Sequence, residues 1–126
     1  MSNLQLSLIK QWFDLTKSGE KTEDYRELNL YWFKRLVFNP EKVMPYMGIE
    51  TDSDVLLVCK DSFWSKLFGF KPFSENIMTL GYPKSEDSER ILKLEHKGIE
   101  IRTGKPEWGA EPNKLYFVIK HGSFLQ

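Results

Sequence analysis

Between residues 92 and 101 the apolar side chains change sides. Leu92, Leu94 and His96 fall on even positions, Ile99 and Ile101 on odd ones, and Lys97-Gly98 separates them. Successive side chains of a strand point to opposite faces, so a flat strand would leave one of these sets in water. A glycine at the switch allows a bulge or tight bend of the kind barrels use at their corners. The sheet that holds this stretch is expected to be curved or closed.

Other segments supply the rest of that sheet. Leu4, Leu6 and Leu8 alternate with Gln5 and Ser7, the pattern of a half-buried strand. Thr22–Glu27 lacks helical periodicity and reads as extended, with Thr22, Asp24 and Arg26 on one face and Glu23, Tyr25 and Glu27 on the other. Val55–Cys59 reads as a buried strand, Asn76–Leu80 as another ending at Gly81-Tyr82-Pro83, and the apolar run Leu115–Ile119 as a central one. Helical spacing is confined to residues 10–17, stopped by Gly19, and to a helix capped by Asn29 with Leu30, Phe33, Leu36 and Val37 inside. Residues 40–54, rich in proline and acidic turn formers, read as a long loop, and Ser62–Leu67 as a short helix. About six strands and two or three helices in residues 1–126 make one α+β domain.

Composition narrows the function. A chain of 126 residues has one core, and its eighteen basic and eighteen acidic side chains cancel, so no global field draws it to nucleic acid or an anionic membrane. The only cysteine, Cys59, reads as core filler and suits a reducing cytoplasm. The sequence has neither a signal-peptide core nor an apolar run of membrane-spanning length, so no membrane partner is expected. Aromatics interleave with lysines from Lys60 to Phe73, a pattern shared by base-stacking platforms and core plugs; the plug is the favoured reading.

The chemistry concentrates in Ser18-Gly19-Glu20-Lys21-Thr22-Glu23-Asp24-Tyr25-Arg26. Four carboxylates between positions 20 and 27 surround Lys21 and Arg26, and such neighbours favour a charged lysine, a poor base. By default such a cluster is a solvated charged strand. Together with Leu6–Lys10 before it, this segment resembles the ASCH domain family. So does the tail from Gly98-Ile99-Glu100-Ile101 through Gly104-Lys105-Pro106-Glu107-Trp108-Gly109-Ala110 to Tyr116–Lys120, which looks like the subgroup common in phages and gut bacteria.

The resemblance implies a PUA-like small β-barrel with flanking helices and a groove for RNA or a modified nucleoside. Lys21, Thr22, Arg26, Tyr82 and Trp108 would line that groove. One family branch hydrolyses N4-acetylcytidine, which would make Lys21, Asp24 and Glu107 the catalytic set, with Glu111 as another acidic candidate. The threonine expected three residues after that lysine is Asp24 here, which suits water activation better than a hydroxyl nucleophile. A protein-interaction module is the third reading, favoured if the aromatics of residues 63–73 form one exposed patch. His96 and His121 read as spectators, no Cys/His/carboxylate spacing suits a metal, and no cofactor motif is present.

Overall fold

The computed structural model describes residues 2–125 of the chain. Strands β1 (Asn3–Leu8), β2 (Glu23–Arg26), β3 (Glu75–Leu80), β4 (Ile91–Thr103) and β5 (Leu115–Phe124) form one five-stranded sheet in the order β1-β3-β4-β5-β2. β1 and β3 run parallel, and every other pairing is antiparallel. Helices α1 (Lys10–Lys17), α2 (Leu30–Leu36), α3 (Pro40–Met47) and α4 (Asp52–Lys60) complete an α+β fold.

The parity switch does bend the sheet. Pairing of β4 with β5 slips between Leu94 and His96 and again between His96 and Ile99, and Gly98 takes φ +107° there. Leu92 and Leu94 before the slip, and Ile99 and Ile101 after it, all meet the same core cluster. The curl is deep enough to bring the two ends of the sheet together: Arg26 Nη2 at the end of β2 donates to the Ser7 carbonyl of β1 at 3.1 Å. The result is a half-barrel with a side chain across its open seam.

β5 is apolar at successive positions because it is buried on both faces. Phe117 and Ile119 join the main core with Leu6, Met78, Phe33 and Leu36, while Tyr116 and Val118 pack on Ala110 and Tyr25. Phe33, Leu36 and Phe117 have no exposure, and full burial of each contributes roughly 1.5–3 kcal/mol.

Three local expectations need correction. Val55–Cys59 is not a strand but part of α4, begun by a capping box in which Thr51 Oγ1 accepts from Asp54 N–H and Asp54 accepts from Thr51 N–H. Only Val55 and Cys59, four apart, are buried, whereas Leu57 is 68% exposed. Burial also pushes the Cys59 thiol up to about 12, in keeping with an inert core residue. Residues 40–54 contain α3, with Pro40 at its start and Gly48 closing it in the left-handed conformation. The proposed helix at Ser62–Leu67 is a single 3₁₀ turn, Trp64–Lys66. One strand and the Ser62–Leu67 helix are lost and α3 and α4 are gained, leaving five strands and four α-helices among the described residues.

A polar chain ties β3, β4 and β5 together. His96 Nδ1 lies 2.7 Å from Asn76 Oδ1, and Asn76 Nδ2 donates to His121 Nδ1 at 2.7 Å and to the Lys120 carbonyl at 3.2 Å. Accepting from Asn76 leaves the His121 proton on Nε2, which is buried and bonds to none of the described residues. Burial lowers the His121 pKa to about 4, with smaller opposing influences from Asp24 and Glu23 and reinforcing ones from Lys21 and His96.

Two predictions follow from these features. Gly98→Ala costs about 1–2 kcal/mol in urea unfolding through backbone strain alone, because a Cβ there meets nothing within 4 Å. The second concerns pH. The folded-state pKa of His121 lies below its ordinary 6.5, so its contribution to stability is whole above pH 6.5 and is lost as pH falls through about 4. Unfolding free energy drops by on the order of 3 kcal/mol across that window, and His121→Gln flattens the profile.

Candidate functional site at the seam

The turn after α1 sends the charged segment inward. Gly19 takes φ +86°, and the Lys21 N–H donates to the Leu15 carbonyl at 3.0 Å, so the chain folds back beneath the helix. Lys21 is consequently 2% exposed. Its Nζ donates to the Glu23 carbonyl at 2.7 Å and to Asp24 Oδ1 at 2.8 Å. The other Asp24 oxygen accepts from Arg26 Nε at 2.8 Å and stands 2.7 Å from Nη2. Burial pushes the Asp24 carboxyl up, but Arg26 and Lys21 outweigh it and hold the group below its ordinary value.

The opposite face of β2 clamps the loop over residues 104–112. Glu23 binds Arg102 through both oxygens, at 2.6 and 3.0 Å, and accepts from the Tyr25 hydroxyl at 2.7 Å. That hydroxyl in turn accepts from Lys105 N–H at 2.9 Å. Asp24 and Arg26 thus share one face and Glu23 and Tyr25 the other, as strand alternation requires.

Two clefts flank the Arg26–Ser7 bridge, and both residues line both of them. The larger, about 470 Å³, lies between β1, α2 and the Gly81–Pro83 turn and contains Arg26, Tyr31, Trp32, Arg35, Thr79 and Tyr82. Arg26 and Arg35 both stand over the Trp32 ring, their guanidinium carbons 4.9 and 5.2 Å from its centroid. Arg35 also donates to the Tyr31 hydroxyl at 3.0 Å and to the Gln5 carbonyl. Tyr82 is 95% exposed. The smaller cleft, about 250 Å³, is walled by Ile9, Trp12, Asp24, Arg26, Trp108 and Gly109.

The predicted residues therefore divide. Arg26 and Tyr82 meet in the larger cleft; Arg26, Asp24 and Trp108 meet in the smaller. Lys21, expected from its motif position to line the groove, lines neither cleft, because its side chain is directed inside to Asp24 and the Glu23 carbonyl. Thr22 is exposed away from both clefts and contributes its carbonyl to the His121 N–H. Glu107 and Glu111 also lie outside both; Glu111 is paired with Lys114 at 2.9 Å. Trp108 is buried beneath Lys105, whose Nζ is 4.3 Å from the ring centroid, and it also borders the smaller cleft.

Sequence reasoning missed Tyr31, Trp32 and Arg35. Tyr31 and Arg35 are four apart on the helix side opposite Phe33 and Leu36, an aromatic and a cation paired at helical spacing. The aromatic segment also divides: Phe73 is buried and Phe68 and Phe70 pack on the core, while Phe63 and Trp64 are exposed. Two larger hollows lie elsewhere, one beside Lys34, Glu41 and Lys71 and the other beside Glu27, Lys60 and Lys114; each has an acidic side chain in its wall, and neither is lined by an arginine among the described residues. No described helix is long and apolar enough to cross a membrane. No protein family, curated protein or solved structure matches the chain.

The triad makes a direct prediction for stability. Asp24→Asn leaves two cations without their carboxylate and costs about 3–5 kcal/mol in urea unfolding at pH 7. In the native chain Asp24 is depressed below its ordinary 3.8, so its contribution is present above that pH and is lost as pH falls through the lower folded value. The acid limb below pH 3.8 is therefore shallower in the variant.

Proposed function

We propose that this chain is a PUA-like, ASCH-type domain of the cytoplasm that binds RNA or a modified nucleoside in the larger cleft. One observation carries the reading: among the described residues, two arginines and three aromatic side chains converge there, and no acidic side chain lines the wall. A nucleotide combines an anionic phosphate with a flat aromatic base, and cations beside stacking rings are how proteins hold unpaired ones. The cleft volume falls within the roughly 300–1,000 Å³ of small-molecule sites. The resemblance of both ends of the sequence to ASCH domains supports the same ligand class.

Binding is better supported than amide hydrolysis. A lysine base needs a nitrogen that reaches the substrate with a lone pair available. Lys21 Nζ is enclosed and directed at Asp24 and the Glu23 carbonyl, and Glu107 lies outside both clefts. Incubation with N4-acetylcytidine is expected to release no cytidine.

Titration with an eight-nucleotide single-stranded RNA and with cytidine derivatives, followed by backbone and side-chain NMR shifts, tests the proposal. Shifts are expected at Arg26, Trp32, Arg35 and Tyr82. Arg35→Ala weakens binding about tenfold or more, the loss of one charge-assisted contact. Unmoved signals at all four residues for every ligand would refute it.

A further inference from the structure

The two clefts meet at one cation. Arg26 and Ser7 belong to both walls, so the Tyr82 side and the Trp12 side adjoin at the Arg26–Ser7 bridge. Arg26 commits Nε and Nη2 to Asp24 and Ser7, and its Nη1 makes no hydrogen bond among the described residues. Asp24, which also borders the smaller cleft, has both oxygens occupied by Lys21 and Arg26. Its negative charge is thus already matched.

The smaller cleft has the character of a base site. At about 250 Å³ it falls below the roughly 300 Å³ at which sites for whole small-molecule ligands begin. It suits a ring rather than a nucleotide. Trp12 is half-buried in its wall and is held in place by the loop: a Cβ added to Gly109, which has φ +103°, would lie 2.9 Å from Trp12 Cζ2. Ile9, 64% exposed, forms the rim.

Resting on the nucleotide-binding reading above, we infer that the site takes a dinucleotide step of an unpaired RNA strand, one base in each cleft and the linking phosphodiester on Arg26. The larger cleft holds one nucleoside beside Trp32 and Tyr82. The strand crosses the seam at Arg26 Nη1, and the next base enters against Trp12. A lone nucleoside would then use half of the surface.

The experiment compares uridylyl-uridine with uridine 3′-methyl phosphate, which carries the same singly charged diester but lacks the second nucleoside, and the Trp12 and Ile9 variants below separate its base from its sugar. Calorimetry on the native chain is expected to show the dinucleotide binding about tenfold more tightly, the contribution of one stacked base. Trp12→Leu, and separately Ile9→Ser at the exposed rim, should bring the ratio of the two affinities to within twofold, with thermal unfolding checking that each variant folds. Equal affinities in the native chain, or a tenfold ratio that survives in a folded variant of either kind, overturn the dinucleotide inference and leave nucleotide binding standing. If neither compound binds, the functional reading fails with it.

Discussion

A single buried carboxylate holds this fold together at the place where its sheet fails to close. Asp24 is 5% exposed, and each of its oxygens is matched to a cation, Lys21 from the turn before it and Arg26 from the strand after it. Burying three charges is expensive unless each is satisfied. Here the geometry satisfies them, and the arginine so anchored spans the gap to β1. The main-chain ladder ends at β1 and β2, and a side chain continues it by one contact.

The same arrangement decides which side chains of the charged segment turn inward and which reach the surface. The residue pattern of charged strand, lysine and arginine was readable, but the distribution of its side chains between core and groove was not. Lys21 precedes β2, so strand alternation did not assign it to a face. The back-folding at Gly19 and the Leu15 carbonyl decided its direction. Arg26, by contrast, follows from parity with Asp24, and it is the one motif cation that reaches both clefts.

Much of the sheet was legible because its signals are local. Alternation at Leu4, Leu6 and Leu8, the glycine at the parity switch and the double-faced run at Leu115–Ile119 each report a period of two or its interruption. The α3–α4 region was misread because its local signals compete. Five apolar residues in a row at Val55–Cys59 look like a buried strand, yet Thr51 and Asp54 begin a helix that leaves Leu56 and Leu57 outside. The larger cleft was hidden for another reason: Tyr31, Trp32 and Arg35 meet Arg26 only because α2 packs beside β1, a tertiary placement that no local pattern encodes.

The sheet order also sets a schedule for the chain as it is made. Among the described residues β1 pairs only with β3, Asn3 opposite Glu75, and β2 only with β5, Glu23 opposite Lys120. At roughly 5–20 residues per second, the first strand waits several seconds on the ribosome for its partner, and the second waits longer still. Both ends of the half-barrel are therefore early sequence completed by late sequence. The seam and its Arg26 crossing are assembled only once β5 has emerged.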